Sequence, residues 1–423
     1  METPIQGYSI PFFTLLRPSD LEVMAEAELD VPHPLSRQHL FLSQALEKIL
    51  RVCRFVIFWG SSELIRLAPA RRPLTSVLVL RLDAIGDLVL WLSTGIREIS
   101  QYGRSRGYVV LLARQDWADF ARELGIFDEV LPLDTQRFMT DLPYRLALLL
   151  MLRRRGFALV IQTRAAREFL LEDMIVRAVG ATETLGNAGD TSNIRYQLKR
   201  VSDKWYSRLI LVPSHSTHES ERNKVFTRAL TGATPQPVAM QFDSSISKQF
   251  EIAGSFFVVA PGAGWYGRQW PATRFAEVAS RLQQKKGWMC VVVGGVNDCV
   301  LGESIQEIVG QGCVNLAGQL TLLELGGILK SAELVITNES SVAHYAPFVG
   351  TKTVVILGGG HFGRFLPYAS NMPESRQSLP IFKAMDCFGC NWVCRFSVPI
   401  GAPMPCIEQV DVDNAWNKMR EGL

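Results

Sequence analysis

The 423-residue chain has no apolar run of the roughly 18 to 20 residues that a membrane-spanning helix needs. Leu146–Leu152 is apolar throughout but stops at Arg153-Arg154-Arg155. The N-terminus, Met1-Glu2-Thr3-Pro4, shows no basic region followed by an apolar core, so no secretory signal is expected and the reading is cytoplasmic, free or at the inner face of a membrane. A marked excess of one charge sign is also lacking. A net charge of +3 argues against a nucleic-acid partner, and no low-complexity tract suggests a disordered chain. Walker-type Gly-Lys-Ser/Thr is missing from the glycine-rich loops, and so is dinucleotide glycine spacing. No Asp-x-Asp pair closes a strand; Asp411-Val412-Asp413 falls in a C-terminal helical region. Cys53, Cys290, Cys299 and Cys313 are scattered through apparent core elements, which suits reduced, buried small residues better than disulfides.

What the chain does have is a pair of apolar runs that end abruptly at small residues. Val77-Leu78-Val79-Leu80-Arg81-Leu82 leads into Asp83-Ala84-Ile85-Gly86-Asp87, and Phe256–Ala260 leads into Pro261-Gly262-Ala263-Gly264. Short apolar runs of this kind are typical of buried parallel strands, and ligands of open α/β sheets bind just beyond strand carboxyl ends. Alternation follows each run. Strands near 77–82, 108–113, 129–133 and 157–162 alternate with helices near 87–103, 116–124, 141–154 and 167–179. After a linker within 235–250, strands at 256–260, 288–294, 313–316, 333–337 and 352–357 alternate with helices at 272–286, 299–310, 321–331 and 341–349, and a short helix at 411–421 closes the chain. The pattern predicts an α/β protein of two Rossmann-like, doubly wound parallel-sheet domains with a cleft between them. The expected division is an extension over 1–75, a first domain over 76–245 and a second over 246–423 with a cysteine-rich tail.

Three segments carry candidate chemistry. Asp87 follows Gly86 at the expected start of a helix, where free N–H groups and the dipole favour an anion; it reads either as a proton acceptor for a sugar hydroxyl or as an N-cap. In Gly262-Ala263-Gly264-Trp265-Tyr266-Gly267-Arg268-Gln269-Trp270-Pro271, small residues admit a phosphate to backbone N–H groups. Arg268 adds planar donors suited to pyrophosphate, and Pro271 suits the first turn of the next helix. In Val335–His344, a strand end runs into Ser340 and Ser341 at a helix start, another anion site, with Glu339 placed to receive sugar hydroxyls and His344 one turn inside.

Together these segments resemble glycosyltransferase family nine, the heptosyltransferase family of GT-B fold, from about residue 76 to about 360. The anchors are Arg81-Leu82-Asp83-Ala84-Ile85-Gly86-Asp87, the Pro-Gly-Ala…Arg-Gln-Trp-Pro-Ala-Thr-Arg-Phe loop, Asn315-Leu316-Ala317-Gly318 and the Asn338…His344 block. The resemblance implies Asp87 as general base, Arg268 on the donor pyrophosphate, and Ser340 and Ser341 holding phosphate through their N–H groups. It departs where Glu339-Ser340-Ser341 stands in place of the usual Asp-Thr-Gly, which bears on donor identity. The reaction implied is transfer, with inversion and without a metal, of heptose or a related sugar from a nucleotide-sugar donor to a lipopolysaccharide or other surface glycan; leaving-group charge would fall to Arg268 and helix dipoles. A sugar-nucleotide epimerase and a non-catalytic nucleotide-sugar-binding protein are the alternatives, the first separable by turnover without any glycan acceptor.

Three features lie beside this core. Arg164 and Arg167 are candidate acceptor contacts, against a solvated Arg-rich helix end. Cys387-x2-Cys390-x3-Cys394-x11-Cys406 is dense enough for one Zn²⁺ or an iron–sulfur cluster, with a labile disulfide and free thiols as alternatives. Residues 46–72 carry six basic and two acidic side chains, a local charge of +4, among many apolar ones. That segment reads either as a peripheral contact with an anionic membrane or as a helix packed on its own domain.

Overall fold

A computed structural model describes residues 40–70, 76–214, 216–243, 245–368 and 378–421. Twelve strands form among them: β1 (Ser76–Arg81), β2 (Tyr108–Arg114), β3 (Glu129–Leu133), β4 (Leu159–Gln162), β5 (Glu183–Asn187), β6 (Arg208–Ile210), β7 (Phe256–Ala260), β8 (Met289–Val292), β9 (Cys313–Asn315), β10 (Leu334–Asn338), β11 (Thr353–Ile356) and β12 (Ser378–Ile381). They make two six-stranded sheets, in the orders β3-β2-β1-β4-β5-β6 and β12-β11-β10-β7-β8-β9. Pairing is parallel, with Val77 opposite Leu159 in the first sheet and Val335 opposite Val258 in the second. Both orders are doubly wound, so each sheet reverses its winding at one crevice, between β7 and β10 in the second. β7 is buried along its whole length, as a central strand covered on both faces must be.

The chain falls into two compact units. One comprises the described residues up to Leu80 with Asp134–Ile210; the other comprises Arg81–Leu133 with the chain from Leu211 onward. In the second unit, Phe257, Val259, Phe275, Val278, Leu282, Val292, Ile336 and Ile356 form a continuous apolar core.

The elements depart from the sequence expectation where tertiary contacts decide. The single helix expected over 87–103 is two, Ile85–Leu92 and Ile96–Arg104. Gly95 breaks it at φ +152°, and a Cβ there would stand 2.0 Å from Thr227 Oγ1. The helix expected at 167–179 opens with a π-helical turn, Phe169–Asp173. β5, β6 and β12 had no counterpart in the expectation. In the extension, Leu40–Ile65 is a 26-residue helix. Its Phe55 and Phe58 are buried against Phe169, Leu170, Met174, Ile194 and Leu198 of the first unit, while Ile49, Leu50, Ile57 and Leu64 are exposed. Cys53 is exposed on this helix, unlike Cys290 and Cys313, which are buried as expected, and the half-buried Cys299. Arg71 and Arg72 lie outside the described residues.

Candidate active site

The site is assembled at the switch point of the second sheet. β7 ends at Ala260 and β10 at Asn338, and Asn338 ties the two loops together: its Nδ2 donates to Pro261 O at 2.6 Å, and its Oδ1 accepts from Trp270 N–H at 3.1 Å. Trp270 is itself fixed by burial and by donating Nε1–H to Val410 O at 2.7 Å. The loop Gly262–Gln269 is therefore held at both ends. Pro271 then occupies the N-cap of the helix Ala272–Lys286, one residue before the first-turn position expected of it.

Arg268 leaves this loop from the turn Tyr266–Arg268. Its Nη2 donates to Glu339 O at 2.8 Å and lies 3.4 Å from Glu339 Oε1. The guanidinium carbon sits 4.9 Å from the centre of the Trp392 ring, a cation–π arrangement. Glu339 is buried, and desolvation pushes its carboxyl up to about 7 although Arg268 opposes the shift. Beyond it Ser341 is the N-cap of the helix Val342–Val349, accepting backbone bonds from His344 and Tyr345. His344 is buried, with Nδ1 2.7 Å from Tyr368 Oη; burial, and then the charges of His218 and Arg268, push it down to about 3, so it is neutral at ordinary pH.

Asp87 reaches the same place through a different segment. Arg81, buried at the end of β1, pairs with Asp83 at 2.8 Å, donates to Asp87 O at 3.4 Å and lies over the Trp91 ring. Asp83 O in turn accepts from Trp117 Nε1 at 2.9 Å. The Arg-Leu-Asp stretch is thus the buried support of the turn that presents Gly86 and Asp87. The helix starts at Ile85, with Ala84 as its N-cap, so Asp87 stands inside the first turn rather than capping it. The backbone of Gly86 lies against the other segment: a Cβ there would be 3.4 Å from His344 Cδ2 and 3.6 Å from Ser341 Cα.

These residues line one cleft of about 710 Å³ within the second unit: Asp87, Gly262, Ala263, Gly264, Arg268, Glu339, Ser340, Ser341 and His344. The structure also brings in residues that sequence reasoning passed over. Asp298 is the most telling. A Cβ on Gly262 would fall 2.4 Å from both of its carboxylate oxygens, and one on Gly294 would fall 2.7 Å from Oδ2, so two glycines from different strand ends leave the room it fills. Its Oδ2 accepts from Gly295 N–H at 2.8 Å, and burial pushes its carboxyl up. The signal available was the Gly294-Gly295 pair just past β8. Asp116, Asp119 and Glu123 add an acidic wall from the helix Gln115–Glu123, and His361 and Phe365 come from the loop after β11.

Arg164 and Arg167 lie in the first unit. Arg164 pairs with Glu168 and Glu172, each at 2.8 Å. Arg167 is fully buried, paired with Asp173 and Asp203 and stacked over Tyr206. Cys387, Cys390, Cys394 and Cys406 converge on one small cavity as free thiols, with Cys406 Sγ accepting from Gly359 N–H at 3.4 Å. Among the described residues no group of His, Cys, Asp or Glu is arranged to hold a metal ion.

Known proteins match this architecture. The solved ADP-heptose lipopolysaccharide heptosyltransferase II of E. coli superposes with a TM-score of 0.59 at 15% identity, covering 82% of this chain and 98% of that one. A family 9 glycosyl transferase from Veillonella parvula superposes with a TM-score of 0.62 at 13% identity, covering 84% and 98%. Lipooligosaccharide heptosyltransferase 2 of Haemophilus influenzae is 29% identical over 118 residues, 26% of this chain and 34% of that protein. The chain spans between 34% and 55% of the length of the curated relatives it matches. The model of glycosyltransferase family 9 (heptosyltransferase) matches residues 173–389. With that match running over half of its length, the chain belongs to glycosyltransferase family 9.

Proposed function

We propose that this protein transfers heptose or a related sugar from a nucleoside-diphosphate donor to a hydroxyl of a lipopolysaccharide or other surface glycan. The observation that carries the reading is the convergence on one cleft of a carboxylate on a helix turn, a small-residue loop with Arg268, and a serine-led helix start. Family membership and the curated relative's name, a lipooligosaccharide heptosyltransferase, support the sugar and the acceptor class. In the proposed step the acceptor oxygen attacks the anomeric carbon as the bond from that carbon to the diphosphate oxygen breaks, with inversion. Asp87 takes the hydroxyl proton, and the nucleoside diphosphate leaves onto Arg268 and the N–H groups of Gly262–Gly264 and Ser340–Ser341, with no metal in the step. Donor recognition is assigned to residues 246–423 and acceptor recognition to 76–245. The test is transfer from ADP-heptose to a truncated lipopolysaccharide: Asp87→Asn should lose roughly 10²- to 10⁴-fold in rate with donor affinity nearly unchanged. Full transfer by that variant sinks the assignment.

Two finer readings accompany it. The exposed apolar side chains Ile49, Leu50, Ile57 and Leu64 on the helix Leu40–Ile65 suit an anionic membrane surface carrying the acceptor. Among the described residues no helix is long and apolar enough to cross a membrane. A structural zinc or iron–sulfur group on the cysteine tail has the convergence of its four thiols in its favour; metal analysis of purified protein tests it, and metal-free folded protein removes it.

A further inference from the structure

Glu339 is an acid held where its charge is poorly supported. It is 3% exposed, and neither carboxylate oxygen has a hydrogen-bond partner among the described residues. The cation beside it is Arg268, but that Nη2 is anchored on the Glu339 backbone carbonyl at 2.8 Å and stands 3.4 Å from Oε1. Among the described residues that line the cleft, Arg268 is the only Lys or Arg. His344 on the following helix and His361 on the loop after β11 are kept neutral by burial, pushed down to about 3 and about 4. Asp87 and Asp298 face the same cleft and add negative charge. Burial already pushes Glu339 up to about 7 with Arg268 in place.

A diphosphate arriving at Arg268 makes that position worse. It competes for the guanidinium and sets more negative charge beside a carboxylate that water barely reaches. Protonation is the cheapest relief, because it removes the repulsion and turns an acceptor into an O–H donor. We propose that Glu339 takes up one proton from solvent when the donor diphosphate engages Arg268, exchanging the carboxylate–guanidinium pair for a guanidinium–diphosphate pair beside a neutral carboxylic acid. No bond of the donor changes in this step. The inference rests on the reading above that Arg268 holds the diphosphate.

The sign follows from linkage. The bound state carries more protons, so donor affinity falls as pH rises above the free-state value of about 7, by at most about tenfold per pH unit for one proton. Below that window Glu339 is already protonated and affinity is flat. The measurement is calorimetric titration with ADP-heptose from pH 6 to 9, in buffers of different protonation enthalpy; a diphosphate diester does not itself titrate there. Wild type should take up close to one proton at pH 8, and Glu339→Gln should take up none and show a flat affinity profile. Uptake that persists in the Gln variant would assign the proton elsewhere, to His344 or His361, and overturn the exchange. Arg268→Ala separates the two levels. If it binds donor like wild type, or if wild type does not bind ADP-heptose, the donor reading fails and takes the exchange with it. If it binds more weakly while wild type shows no buffer-dependent heat, the reading stands and the exchange is wrong. Should the Gln variant not fold, the wild-type measurement still tests the exchange, because donor binding at pH 8 without buffer-dependent heat overturns it.

Discussion

Asp298 and Gly262 show how much of this site depends on single atoms being absent. The two oxygens of Asp298 occupy the volume a methyl group on residue 262 would need. Gly262→Ala must therefore displace the Asp298 carboxylate or the loop, and overpacking of this kind typically costs about 1–3 kcal/mol. It should weaken ADP-heptose binding, and Asp298→Ala should restore part of that loss in the double variant, because the two changes share one contact. Strict additivity in calorimetric affinities would mean that the glycine serves something else. At the same scale Arg268→Ala should raise the donor Michaelis constant and lower turnover together if, as proposed, the charge meets diphosphate in both ground and transition states; steady-state kinetics that leave both unchanged remove Arg268 from the donor site. Asp87, Arg268 and the serine pair were legible in the sequence because each sits in a contiguous motif. Asp298 was not, because the space it needs is made by glycines in two separate loops, past β7 and past β8.

Among the elements, Asn338 ties the loops past β7 and β10 together, beside the bond from Arg268 to Glu339 O. Removing Asn338 leaves Pro261 O and Trp270 N–H buried without their partner, at about 1–3 kcal/mol for each group. Asn338→Asp should be nearly as harmful, since a carboxylate cannot donate to Pro261 O; both variants should melt earlier and bind donor more weakly in thermal-shift titrations. Unchanged melting would show that Trp270 and Arg268 fix the loop without Asn338. The helix Leu40–Ile65 has two faces with separate consequences. Phe58→Ala should cost about 3–5 kcal/mol in denaturant unfolding, the usual range for a buried Phe, whereas Ile57→Ser and Leu64→Ser should leave stability nearly unchanged and weaken binding to anionic vesicles. Vesicle binding indifferent to those changes would remove the membrane assignment. The central strands and most helices could be read from apolar runs and alternation. β5, β6 and β12 could not, being short and partly polar edge or near-edge strands, as in Glu183-Thr184-Leu185-Gly186-Asn187. Nor could the break at Gly95, which is imposed by Thr227 packing from another helix.

The charge of the molecule as a whole is nearly balanced, but that of the cleft is not. Asp87, Asp116, Asp119, Glu123 and Asp298 line it beside Glu339, which is neutral in the donor-bound state proposed above, and Arg268 is the only Lys or Arg among the described residues that do so. A field of that sign opposes an acceptor crowded with phosphates and falls off over roughly a Debye length. Transfer to a phosphorylated acceptor should therefore speed up as salt rises from low ionic strength, while transfer to its dephosphorylated form should change little. The opposite ranking in initial rates would place a basic acceptor surface at the cleft mouth.

The contact between Arg268 and Trp392 gives the cleft an optical reporter of its own. The indole ring lies under the guanidinium, edge-on to Trp265 and to His361, and its side chain fills the room left by Gly358 and Gly360. A ligand that draws the guanidinium away alters the electric field across that ring, and indole emission responds to such a field. Tryptophan fluorescence should then shift on donor binding in the unlabelled protein, and the difference between wild type and Trp392→Phe should isolate that signal from the other eight tryptophans.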